Sequence, residues 1–256
     1  MAVSIDRVYQ KVLAFANKEQ RGYITPQEFN LFADQAQMEI FEQYFYDINQ
    51  WRKAPGNDHA TSDMLTNLEE KISKFKNNGI ILLWLGNGQA SLEQDVNGNP
   101  IKDLYRISSL FVDGIEFGNK KRLLEEVKGG EEHQLHLDSS LCKPTSSRPI
   151  YTRFNTTSSD STAMDRIMMY PIPKASSVEI TMRYIRKPAA PKWGYMVANE
   201  KPLYLDTRSV DFELHSSEES ELVYRVLAYA GIALEKQNLT QFAASMETAK
   251  VQQEKQ

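Results

Sequence analysis

Apolar positions recur at helical spacing over the first 77 residues, change to strand-like alternation through the middle, and return to helical spacing after Leu214. Ser4 caps a first helix expected to reach about Asn17. After a break at "KEQRGYI", Thr25-Pro26-Gln27-Glu28 predicts an abrupt helix start. Thr25 stands at the N-cap, Pro26 takes the first helical position, where a missing N–H costs nothing, and Glu28 completes a capping box. This helix is expected to run to about Lys53, before Ala54-Pro55-Gly56. Phe29, Ala33, Ala36, Ile40, Tyr44, Ile48 and Trp51 form its apolar stripe, and Met38, Phe41 and Phe45 widen it beyond half the circumference. Such a helix is covered on more than one side, by its own domain or by a second chain. Met38, Phe41, Phe45 and Trp51 are therefore subunit-interface candidates. A more polar helix is expected over 62–77.

The middle reads differently. "ILLWLGNG" has the character of a buried strand, and Asn97-Gly98 marks a tight hairpin turn. "LYRISSLFVDGIEF" (104–117), "HQLHLD" (133–138) and "SVEITMRYIRK" (177–187) alternate as strands do, with Val178, Ile180, Met182 and Tyr184 on one face. "KKRLLEEVKGG" (120–130) suggests a short helix ended by glycine, and "NTTSSDSTA" (155–163) a polar loop. Beyond Leu214, Ser216 with Glu219 and Asn238 with Gln241 make two further capping boxes for C-terminal helices. The resulting expectation is an α+β chain. N-terminal and C-terminal helices form a helical bundle, with an inserted β-rich middle, sandwich-like or barrel-like. The boundaries are 1–78, 79–213 and 214–256, the last returning to the helical domain.

Composition narrows the function. The 256 residues are 41% hydrophobic and 25% charged, with a net charge of −4. That is a globular composition without the basic excess of a nucleic-acid reader. The single cysteine, Cys142, forbids an internal disulfide and fits a reducing compartment. "MAVSIDRVYQKVLAF" lacks the basic-then-apolar order of a secretory signal. The longest purely apolar run, Ile80 to Leu85, falls far short of the roughly 20 residues of a membrane span. A soluble intracellular product with no membrane segment is expected.

Candidate chemistry is sparse. Asp95, Asn97 and Asn99 open like a calcium loop, but Pro100 stands where glycine is needed and Arg106 where the bidentate glutamate belongs. His133 and His136 are three apart, which on a strand places them on opposite faces. Cys142 has no partner suggested by its context and reads as a small buried hydrophobe. No catalytic residue, metal ligand or cofactor is assigned. "YIRKPAAPKWGYMV" (184–197) contains a PxxP, yet Ile185 and Trp193 occupy the places where a proline-reading domain requires a basic residue. Pro188 and Pro191 instead stiffen an extended exit from a strand, and Trp193 docks it on the core. These three residues form a structural joint.

The phrases "MRYIRKPAAPKWGYMV", "DFELHSSEESELVYRVLAYAGIALEKQNLTQFAASMETAKVQQEKQ" and "YITPQEFNLFADQAQMEIFEQYFYDINQ" resemble virion structural proteins of tailed phages. The likeness is to head–tail connectors, also called adaptors, neck rings or tail-tubular proteins, of short-tailed and crAss-like phages. It covers about half the chain and is diffuse between residues 50 and 178. The resemblance implies a non-enzymatic ring below the portal, matching its twelve-fold symmetry. Its partners would be copies of itself, the portal protein and the next neck or tail protein, with DNA passing through the lumen unread. Another virion ring, or a fibre-attachment protein further down the tail, is the alternative, and a small hydrolase a distant one. On this reading Leu239, Phe242, Ala243 and Met246, one apolar face of the last helix, are the candidate dock to the portal.

Overall fold

The computed structural model describes residues 3–18, 24–53, 59–118, 120–128, 136–157, 163–173, 178–198 and 201–233, together with 245, 246 and 248. The chain divides into two compact units, one of residues 1–74 and 188–256, the other of residues 75–187.

In the first unit α1 spans Ile5–Lys18, α2 Pro26–Lys53, α3 His59–Ser73 and α4 Glu219–Ala233. The start of α2 follows the sequence signal. Thr25 N–H and Oγ1 donate to Glu28 Oε2 at 2.9 and 2.7 Å, and Glu28 N–H donates back to Thr25 Oγ1 at 3.3 Å. These bonds to the ionised carboxylate hold the Glu28 pKa below its usual value. Phe29, Ala33, Ala36, Ile40 and Tyr44 are all buried. The start of α4 differs from the expected Ser216–Glu219 box. His215 Nδ1 accepts from Ser217 N–H at 3.3 Å, and a 3₁₀ turn over Ser216–Glu218 leads into the helix. Glu219 turns instead to Lys11 at 2.6 Å and Arg7 at 3.5 Å. The Asn238–Gln241 box lies outside the described residues.

The second unit is a closed barrel. Its strands are β1 (Lys76–Gly86), β2 (Gln89–Asp95), β3 (Leu104–Asp113), β4 (Arg122–Glu126), β5 (Ile150–Thr157), β6 (Ala163–Tyr170) and β7 (Glu179–Arg186). Around the barrel they run β1-β2-β6-β5-β4-β3-β7, antiparallel except for the parallel pair β4–β5. Closure pairs each strand with a neighbour on both sides, which limits the free sheet edge that is the usual hazard of a strand-rich unit. Leu82, Leu110, Val112, Ile167, Met169, Ile180 and Met182 fill the interior. Along β7 and the residue before it, the buried face is the anticipated Val178, Ile180, Met182 and Tyr184. The β1–β2 turn is made by Asn87 at φ 51° and Gly88 at φ 81°. A Cβ on Gly88 would stand 2.9 Å from the Met169 carbonyl oxygen.

The expected bundle of N- and C-terminal helices around a β middle is corrected by this arrangement. The chain is α+β with a closed seven-stranded barrel as its β core. Residues 188–213, assigned from sequence to the middle, belong to the first unit. They include β8 (Tyr195–Ala198) and β9 (Lys201–Tyr204), paired as a two-stranded antiparallel sheet. The physical reason is the cover that α1 and α2 need. Extended chain around Trp193 supplies part of it, so the helices do not close on one another alone. A second correction is local. The helix expected over 120–130 is strand β4, because burying Leu124 in the barrel outweighs the helical propensity of "RLLEE".

Candidate functional site

Three features of the first unit bear on function, and the joint is the first. Pro188, Pro191 and Trp193 are buried. The Trp193 ring lies 4.5 Å from the Tyr9 ring, which is 4.6 Å from that of Phe29. The indole N–H donates to Asp6 Oδ1 at 3.0 Å, so α1 grips the ring by both its face and its polar tip. Further along, Gln37, fully buried in α2, donates to the Ala189 carbonyl at 2.8 Å and accepts from Glu213 N–H at 3.1 Å. Gly194 N–H donates to Ser209 Oγ at 3.0 Å, and any Cβ there would stand 2.6 Å from the Arg208 carbonyl carbon.

Directly after this anchor comes the second feature, the β8–β9 sheet. At its base Tyr195 pairs with Tyr204, and their rings lie 5.8 and 5.7 Å from Trp193. Beyond the base Met196 pairs with Leu203 and Val197 with Pro202. Alternation puts these pairs on opposite faces, and both faces are open. Met196, Val197 and Leu203 are 51%, 68% and 51% exposed. A two-stranded sheet is marginal by itself. This one is held at its base and left apolar and uncovered towards its tip.

Third, a polar network ties α2 to α4. Arg225 donates to Glu221 Oε1 from Nε at 3.0 Å and from Nη2 at 2.7 Å, to Glu39 Oε2 at 3.0 Å, and also to Gln43. Tyr229 donates its hydroxyl to Glu39 and stacks on Phe32 at 6.2 Å. Burial, reinforced by the Glu39 carboxylate, pushes the Tyr229 pKa up to about 12. Beside α4, Lys11, Ala14 and Phe15 of α1 and Ser220, Val223 and Tyr224 line a groove of about 360 Å³.

The interface candidates on α2 separate. Phe41 is fully buried and meets Phe45 edge-on at 5.1 Å, so its own chain covers it. Met38, Phe45 and Trp51 are half-buried. Met246 is half-buried, whereas Leu239, Phe242 and Ala243 lie outside the described residues.

In the second unit the calcium-like loop closes on itself. Asp95 Oδ1 accepts from Asn97 N–H and Asn99 N–H at 2.8 Å each, and Oδ2 accepts from Asn99 Nδ2 at 3.1 Å. The Asn99 bonds lower the Asp95 pKa, so the carboxylate serves the turn. Cys142, expected to be buried, is exposed, with its N–H donating to Ser139 Oγ at 3.2 Å. His136 lies 3.5 Å from the Cys142 carbonyl, and His133 falls outside the described residues. Among the described residues no three His, Cys, Asp or Glu side chains cluster as metal ligands, and no helix is long and apolar enough to cross a membrane.

Sequence reasoning missed the β8–β9 sheet. Four-residue strands carry too little alternation to register, although Tyr195-Met196-Val197 was a legible β-prone triplet. No protein-family model matches the chain, and no curated protein matches it either.

Proposed function

We propose that this chain is a structural, non-catalytic component of a tailed-phage virion. It forms a ring-shaped head–tail connector below the portal, bridges portal and tail, and lets DNA pass through the lumen. The β8–β9 sheet supports this reading most directly. A rigid base and apolar faces open on both sides suit an arm that is completed by another subunit. A ring needs a heterologous interface, in which one patch of each copy meets a different patch of the next. The β8–β9 arm is the first patch, and the α1–α4 groove with half-exposed Phe15 is the second. The resemblance of residues 20–50 and 178–256 to connector proteins supplies the virion context.

The test is a pair of cysteines in a Cys142→Ser background. Val197→Cys in the arm and Phe15→Cys in the groove should form a disulfide between copies in assembled particles, while either cysteine alone should not. No cross-link between copies in intact particles would refute the arm-in-groove ring.

A further inference from the structure

The barrel has a window, which strand lengths explain. β4 is only five residues long and pairs with β3 at Leu110–Val112 and with β5 at Ile150–Tyr151. Past Glu126 the ladder stops, while β3 continues toward Leu104 on one side and β5 toward Thr157 on the other. Between these stretches lies a cavity of about 380 Å³. Its apolar floor includes Leu92 and Ile107, both buried members of the barrel core.

The rim is polar and aromatic. Register places Arg153 opposite Ile167 and Asn155 opposite Asp165, so Arg153, Asn155 and Asp165 share the inward face of β5 and β6. Phe154, Arg166 and Tyr105 complete the lining, and all three are half-buried. Arg153 Nε lies 3.0 Å from Glu126 Oε1. Arg166 has no carboxylate partner among the described residues, reaching only Gln89 Oε1 at 3.5 Å and Met164 Sδ at 3.8 Å. The Asp165 carboxylate accepts no hydrogen bond from the described residues, while its backbone N–H donates to Glu93 Oε1 at 3.1 Å.

From this arrangement we propose that the window binds a small neutral saccharide. The carboxylates of Asp165, Glu126 and Glu93 repel an anion at the rim and the Arg153 guanidinium repels a cation, so a ligand without charge is favoured. A sugar hydroxyl both donates and accepts. Arg153 and the Asn155 amide supply donors, and Asp165 and the Asn155 carbonyl supply acceptors. Tyr105 lines the same cavity beside these groups. The volume lies at the small end of the range for ligand pockets, and barrel mouths are common sites for them. This site is independent of the ring assignment, since it uses no residue of the arm or the groove.

Saturation-transfer NMR on the full chain decides the matter. Glucose, galactose, mannose and N-acetylglucosamine serve as separate probes, with benzoate and benzylamine as anionic and cationic controls. At least one sugar should receive saturation on its ring protons, with neither control competing. Asp165→Ala and Asn155→Ala should each weaken binding about tenfold, the loss of one well-made polar contact. Asp165→Asn keeps the shape and should weaken it less. Melting curves establish that each variant is folded. Transfer to none of the four sugars overturns the proposal, as does sugar binding undiminished in folded Asp165→Ala or tighter binding of either ionic control.

Discussion

Asn30 holds Trp193 by its backbone at both ends of the residue. Its Oδ1 accepts from Trp193 N–H at 2.7 Å, and its Nδ2 donates to the Trp193 carbonyl at 3.3 Å. One side-chain amide thus does for an extended residue what a neighbouring strand would do. With the indole bonded to Asp6 and packed at a tilt against Tyr9, Trp193 is fixed from α1 and α2 together. Trp193→Ala should lower stability by about 3–5 kcal/mol, in the range of buried aromatic truncations. Asn30→Ala leaves backbone groups unpaired and should cost about 1–3 kcal/mol. Urea unfolding of both variants checks these values.

The Arg225 network makes a different kind of prediction. Its guanidinium side chain is 10% exposed and the Glu221 side chain 5%, so removing the cation strands a buried anion. Arg225→Met should cost about 3–5 kcal/mol, and Arg225→Met with Glu221→Leu should recover much of that loss. A double-mutant cycle by chemical denaturation measures the coupling. If the double variant is no more stable than Arg225→Met, the stranded Glu221 carboxylate is not the source of the loss.

Tyr229 gives the same contact a pH signature. Its folded pKa is raised to about 12 from an ordinary value of 10.0, so the folded state keeps a proton that the unfolded chain releases. The contribution is fully present below pH 10 and is lost as pH rises toward 12. In stability measured from pH 9 to 12, wild type should fall more steeply than Tyr229→Phe. Identical slopes would place the titration elsewhere. Glu219 works in the opposite direction. The Lys11 bond lowers its pKa, so its contribution is present above the ordinary carboxylate range and fades as pH falls through the lowered value.

The C-terminal segment 238–256 is the proposed portal dock, on the strength of the sequence spacing of Leu239, Phe242, Ala243 and Met246. Deleting residues 238–256 should leave a folded, soluble protein that no longer joins portal-bearing heads. Circular dichroism and co-sedimentation with heads measure the two outcomes. Retained co-sedimentation would move the dock elsewhere in the chain.

How legible was this molecule from its sequence? Helix α2 was readable to the residue, because Thr25, Pro26 and Glu28 specify a start by local hydrogen bonding alone. Strand β7 was readable because Ile180, Met182 and Tyr184, following Val178 just before the strand, alternate as buried positions. Strand β4 was misread, since only closure of the barrel, a tertiary demand, makes "RLLEE" extended. β5 and β6 went unrecognised because Arg153, Asn155 and Asp165 interrupt the apolar alternation on their inward face. Those same interruptions form the rim of the window. Of the joint, Pro188, Pro191 and Trp193 were evident from composition, whereas Asn30, Asp6 and Gln37 lie more than 150 positions away in sequence and carry no local signal.

The ring assignment is tested most directly by counting copies. Quantitative mass spectrometry of purified virions, with the portal protein as internal standard, gives the number of these chains per particle. The account predicts a ratio to portal of one to one. Absence from the virion, or a single copy per particle, would contradict it.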